Sequence, residues 1–319
     1  MSESHQPELY PGGTLTQDQQ NQLSSEASIQ AALGAFDRHM EEEVFAINTR
    51  KAFASDIRLL GKYLGVGQPI GEIGTKNLND FLNWLLYERG VPCSRKSYAR
   101  RVTTLKVFFD WLHQSGILPR DPASAVIQIT VSSPLPHVPK EEDLAKALAA
   151  SSILRAGTAE EAPDARPHLL LTLLLLTGIK KSETMTLVPN HIDRTDPEAP
   201  YVFIRYSNPS LRHKERKIPL DSNWLETLDE YLQQYQPGDT LFTCTARNLE
   251  YILSHVGEIA GLSQGLLSFE NLRWASALRA LRSGQELKQI RQNLGLSPVT
   301  WRETKAKLEK LQARQQGEI

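Results

Sequence analysis

The stretch SRKSYARRVTTLKVFFDWLHQSG, residues 94–116, sets the fold class. A serine stands where a helix N-cap belongs, and a glycine where a helix ends. Between them Val102, Leu105, Phe108, Phe109 and Leu112 recur at helical spacing, which predicts one long amphipathic helix. Its other side is basic. No acid lies between Glu88 and Asp110, yet Arg89, Arg95, Lys96, Arg100, Arg101 and Lys106 do. Lys96 and Arg100 share a face opposite the apolar stripe, flanked less closely by Arg89 and Lys106. Such a face neutralises phosphates and can send guanidinium forks to guanine edges in a major groove. A serine-capped helix start also offers free backbone N–H groups to a phosphate. The competing assignment is an ordinary solvated basic face, against which the lack of any acid over this length tells.

Three more helices precede this one: IQAALGAFDRHMEEEVF capped by Ser28, NTRKAFASDIRLLGKYL ended by Gly65 and Gly67, and TKNLNDFLNWLLYERG with a capping threonine. Short links join the four, which predicts a small helical DNA-binding domain over residues 28–127. Residues 1–27 are rich in Gln, Ser, Gly and Pro without apolar period and are expected to form a disordered acidic tail. The proline-rich residues 128–139 suit an extended linker. A second domain is expected over 140–319. It should be α-rich with a small β-sheet, since APYVFIRYS and HKERKIPLD read as strands around a turn.

Composition excludes several classes. The 319 residues are 40% hydrophobic and 23% charged, as in ordinary globular chains. The longest apolar run, at 169–178, is far too short for a membrane span. The start has neither a basic nor an apolar region of a secretory signal. Two cysteines, Cys93 and Cys244, fit a reducing cytoplasm and make neither a disulfide framework nor a zinc site. The eight histidines show no metal-ligand pairing, and no glycine-rich phosphate loop occurs, so no metal and no cofactor are expected. The net charge of −1 conceals a division. Residues 1–46 hold eight acids and one base, whereas residues 47–130 hold twelve bases and six acids. An acidic tail thus precedes a basic module.

The order of elements over 45–125, with its S-R-x-S helix, FFDWL and GILPRDPA, resembles the core-binding domain of tyrosine site-specific recombinases, the phage integrases and Xer type. The second half carries the same resemblance. LLLLTGIKKSETMTLVPNHID is similar to the family's first catalytic box, HKERKIPL to the end of its β-hairpin, LSFENLRWASALRALRSG to its H-x-L-R-H box, and LKQIRQNLGLSPVTWRETK to the run from L-G-H to the nucleophile. The resemblance spans about 45–310. It implies a mostly α, two-domain clamp around duplex DNA, with a four-helix core-binding domain and an α-rich second domain holding a small sheet.

The family's chemistry is a tyrosine attack on a phosphodiester. Two arginines and a histidine or tryptophan stabilise the phosphate charge, and a hairpin lysine protonates the leaving group. On the matching positions this chain has Lys180 for the first arginine and Glu270 for the histidine. Arg273 retains the second arginine, Trp274 follows it, and Leu296 stands for the L-G-H histidine. The hairpin lysine position falls at or near Leu211, and one register slip supplies Lys214. The nucleophile position falls on Lys305, and no tyrosine follows Tyr251 in the 319 residues. The resemblance therefore implies a catalytically degenerate member, not an enzyme. Its expected function is sequence-specific binding of double-stranded DNA without cleavage, as a transcriptional regulator of a mobile element such as a bacterial plasmid. The alternatives are an accessory subunit that docks its C-terminal helix on a partner recombinase, and a residual recombinase with another nucleophile. Self-association and contact with the transcription machinery are further expected partnerships. The expected DNA contacts are Arg95, Lys96, Arg100, Arg101 and Lys106 in the first domain. In the second they are Lys180, Lys181, Arg212, Lys214, Arg216 and Arg273.

Overall fold

The computed structural model describes residues 23–127, 134–159 and 162–315. The tail residues 1–22 and linker residues 128–133 lie outside the described residues. The chain divides into two compact units, Met1–Ser133 and Pro134–Ile319.

The first unit holds four helices: α1 (Ile29–Glu42), α2 (Ile47–Leu64), α3 (Thr75–Tyr87) and α4 (Arg95–Gln114). The α4 stripe is buried as its spacing requires, with Val102, Phe108, Phe109 and Leu112 at 0% exposure. Each such side chain contributes about 1.5–3 kcal/mol by leaving water. Phe36 of α1 meets Phe108 edge-on at 5.1 Å and tilts against Trp111 at 5.2 Å, so α1 closes over the end of α4. Ser94 caps α4 by accepting from Ser97 N at 3.1 Å, and Gly116 takes φ +73° just beyond its end. Ser28 caps α1 likewise.

Two local expectations need correction. Thr75 does not cap α3. Gly74 is the N-cap, with Asn77 Oδ1 accepting from its N–H, and Thr75 Oγ1 instead donates to the Pro122 carbonyl at 2.7 Å. Residues 23–27, assigned to the tail, are placed against the domain. Leu23 is buried in the first core, and Ile70 N donates to the Ala27 carbonyl at 2.9 Å.

The second unit is built around α6 (Arg166–Thr177), whose leucines are buried on nearly every side. A helix apolar all round needs neighbours all round. Here α5 (Glu141–Ala156), α8 (Ser222–Tyr235), α9 (Ala246–Ile259) and α10 (Phe269–Arg282) pack on it. Val138, assigned to the linker, is buried in this core. The short α7 (Lys181–Met185) leads into a three-stranded antiparallel sheet of β1 (Ile192–Asp193), β2 (Tyr201–Ile204) and β3 (Arg216–Pro219). Val202 faces Ile218 across the pair, and both point into the core. A 3-10 helix, Pro209–Lys214, joins β2 to β3. The chain continues with α11 (Leu287–Asn293) and α12 (Pro298–Gln315). Leu308 and Leu311 of α12 are buried in this unit's own core, at 0% and 5% exposure. The apolar side of the C-terminal helix, which the accessory-subunit alternative would dock on a partner, is therefore occupied within the chain.

Candidate nucleic-acid interface

In the first unit the basic residues of α4 divide into two groups. Arg95 and Lys96 are exposed and Lys106 is half-buried, so all three present charge outward. Arg100 and Arg101 are paired within the unit, although the Arg100 side chain stays 38% exposed. Arg100 Nη1 donates to Asp56 Oδ2 at 2.6 Å and to the Ala52 carbonyl at 3.1 Å. Arg101 places Nε 3.5 Å from Asp56 Oδ1 and Nη1 2.8 Å from Cys93 Sγ. Asp56 is 2% exposed, and Thr104 Oγ1 also donates to it at 2.9 Å. Burial pushes the Asp56 carboxyl up, against the pull of Thr104, Arg100 and Arg101. These two arginines neutralise a buried acid, a role the sequence-based assignment missed. A signal existed, since Asp56 falls on the apolar stripe formed by Phe53, Ile57 and Leu60. A carboxylate there requires a buried partner.

In the second unit the turn after α6 is the centre. Gly178 ends α6 at φ +59°, and a Cβ there would stand 3.0 Å from Ser276 Oγ and 3.1 Å from Leu294 Cδ2. Only glycine suits that backbone and that space. Arg273 Nη1 donates to the Gly178 carbonyl, and its Nη2 donates to the Leu294 carbonyl at 2.5 Å. One guanidinium from α10 thus ties the turn after α6 to the segment after α11.

Five residues further on, Glu183 is almost wholly buried. It accepts from Lys180 N at 2.8 Å, from Tyr206 OH, and from both terminal nitrogens of Arg216 at 3.1 and 2.9 Å. Burial alone would raise this carboxyl, but Arg216, with Lys180 N and Tyr206, holds it below the usual glutamate range. The Tyr206 hydroxyl is in turn pushed up to about 12 by burial and the adjacent carboxylate. Arg216 Nε donates to the Asn293 carbonyl at 2.6 Å, so this side chain is also spent inside the fold.

Lys180 feels the charge of both arginines. Burial lowers its ammonium below the usual lysine range. Glu183 pulls it back, and Arg273, Lys214 and Arg216 push it further down. The charge beside Lys180 on the hairpin loop is therefore Lys214. Arg212 is exposed, and Leu211 is half-buried. Lys214 also lines an open cleft of about 550 Å³ with His213, Lys217, Arg291 and Ser297. Lys181 points elsewhere, to Glu250 at 2.6 Å.

A profile for the phage integrase N-terminal SAM-like domain matches residues 33–116, which are α1 to α4. The tyrosine recombinase XerD of Pseudomonas aeruginosa is 26% identical over 292 residues, covering 86% of this chain and 92% of that protein. The tyrosine recombinase XerC of Roseiflexus sp. is 27% identical over 282 residues, covering 83% and 85%. Over most of its length this chain is similar to tyrosine recombinases. Its fold agrees. The XerH site-specific recombinase bound to palindromic difH substrate superposes with a TM-score of 0.68 at 16% identity, covering 96% of this chain and 90% of that one. A lambda integrase dimer bound to a COC′ core site gives 0.66 at 17% identity, covering 91% and 81%.

Against the tyrosine recombinase pattern, the structure brings Lys180, Lys214, Arg216 and Arg273 into one neighbourhood. Lys181 and Lys305 pair with their own acids, Glu250 at 2.6 Å and Glu309 at 3.6 Å. Glu270 stands at the histidine position of the resembled box. Its carboxylate accepts from the Trp274 indole at 2.9 Å, one turn along α10. Leu296 packs against the second core. Arg216 and Arg273, expected to contact phosphate, are corrected to structural ties between segments. No group of three or more His, Cys, Asp or Glu that could hold a metal occurs among the described residues. No helix among them is long and apolar enough to cross a membrane.

Proposed function

We propose that this chain grips a specific duplex DNA sequence and does not cut it, acting as a regulator of transcription on a mobile element. The observation that carries this is how the residues at the recombinase catalytic positions are engaged. Arg273 is committed to two backbone carbonyls, Glu270 to Trp274, and Lys305 to Glu309. The hydroxyls near the expected nucleophile bond among themselves. Ser297 Oγ pairs with Thr300 Oγ1 at 3.1 Å, and Thr304 Oγ1 donates to the Thr300 carbonyl at 3.1 Å. An alcohol without an adjacent base is a poor nucleophile. The free cations Arg95, Lys96 and Lys106, with Lys180, Lys214 and Arg212 in the second unit, supply phosphate contacts that hold and register a duplex. The solved relatives XerH and lambda integrase are bound to DNA, which supports the same partner, and self-association, for this chain.

The accessory-subunit alternative loses its motivating feature, because Leu308 and Leu311 are covered in cis. The test is a gel shift with footprinting on the upstream regions of the chain's own locus, paired with a nicked suicide duplex. A protected site with no covalent adduct on a denaturing gel is the expected result. An adduct would restore catalysis, and no protection anywhere at moderate salt would remove the DNA-binding assignment.

A further inference from the structure

We propose that the acidic segment Glu8–Leu15 of this chain, which lies outside the described residues, docks in cis into an apolar groove between α1 and α2 of the first unit. The groove is a cleft of about 240 Å³ walled by Ile29 and Leu33 of α1, Gly61 of α2 and Val66 just beyond it. A Cβ on Gly61 would stand 3.4 Å from Ile29 Cγ2, so the two helices meet here over bare backbone. Val66 remains 61% exposed, which leaves apolar surface of the groove in water. The rest of the lining is Gln30, Arg58 and Lys62, so every charged group in it is a cation. Arg58 and Lys62 are exposed one turn apart on α2, and among the described residues no acid pairs with either.

An occupant that fits such a groove is apolar and acidic. Residues 1–22 hold three acids, Glu3, Glu8 and Asp18, and neither lysine nor arginine. Leu9, Tyr10 and Leu15 are their large apolar residues after Met1, and the first two adjoin Glu8. Reach permits the contact. Leu23 is fixed in the first core and Ile29 is six residues along, so at most about 20–22 Å separates them. The eight residues from Leu15 to Leu23 span up to about 26–29 Å, which is enough to turn back and reach the groove. Seated there, Leu9 and Tyr10 leave water against Ile29, Leu33 and Val66, and Glu8 faces the two cations. Exposed ion pairs contribute little, so burial supplies most of the hold and charge selects the segment. Two exposed cations of the basic module are then neutralised by the chain's own acidic end.

The test uses the full chain without DNA, so its outcome does not depend on the DNA-binding proposal. A water-soluble carbodiimide joins carboxylates to amines that touch, and the links are mapped by mass spectrometry. Glu8 should link to Lys62 several-fold more than to Lys51 or Lys96, which are also exposed. Leu9→Ser with Tyr10→Ser, checked by thermal melting to be folded, should lose that preference. In a mixture of two isotopically labelled batches, the Glu8–Lys62 links should join residues of one label. Equal links to the three lysines would overturn the proposal. So would a preference that survives in the double variant, or links formed chiefly between the two labels, which would make a second copy the occupant.

Discussion

Arg216 and Glu183 form a buried, two-pronged ion pair, with guanidinium nitrogens 3.1 and 2.9 Å from the carboxylate oxygens and side-chain exposures of 8% and 1%. The pair fastens the start of β3 to α7, and through the Asn293 carbonyl to the end of α11. Two positions of the resembled catalytic boxes thus serve the fold. Removing one partner strands the other charge in the interior. Arg216→Met should therefore cost about 3–5 kcal/mol in urea unfolding, and the joint change Arg216→Met with Glu183→Leu should cost less than that single change.

Gly295 lies against the same pair. Its φ is +57°, and a Cβ there would stand 2.8 Å from Arg216 Nη1 and 3.0 Å from Cζ. Gly295→Ala must accept a strained backbone and push the guanidinium away from Glu183. A loss of about 1–3 kcal/mol is expected, read as a lower melting temperature, whereas Gly238→Ala, with open space around it, should melt near the parent.

Acid should weaken the second unit through the same carboxylate. Glu183 titrates below its unfolded value of 4.5, so the folded state holds the ionised form more tightly. Its contribution is fully present above pH 4.5 and is lost as pH falls through the lower folded value. Glu183→Gln should flatten that acid limb in pH-dependent urea melts. An unchanged limb would mean that other carboxylates govern it.

On α4 the two kinds of arginine should separate experimentally. Arg95→Glu with Lys96→Glu alters exposed charges, so duplex binding and its salt slope should fall while the melting temperature stays put. Arg100→Glu with Arg101→Glu sets three acids together around buried Asp56 and should destabilise or unfold the first unit. Equal melting temperatures for the two double variants would refute this division. For the same reason the second pair is unsuited as a surface probe of DNA contact.

Much of the fold was legible before any coordinates, because helical spacing and end signals act over short range. The stripe Val102–Leu105–Phe108–Phe109–Leu112, the caps Ser28 and Ser94, and the turn glycines were all correctly located. Thr75 was not, since its hydroxyl prefers a carbonyl 47 residues away to the cap position. Leu23 and Val138, one in the supposed tail and one in the supposed linker, are buried because tertiary packing reached past the last periodic residue.

By itself the sequence pointed to a two-unit, mostly helical chain that resembles the tyrosine recombinases. Only the tertiary structure decided which cations remain free. Arg100 meets Asp56 from 44 residues away, and Arg216 meets Glu183 from 33. Charge neutralisation follows distance in space and loss of water, and neither quantity is written in the spacing of residues along the chain.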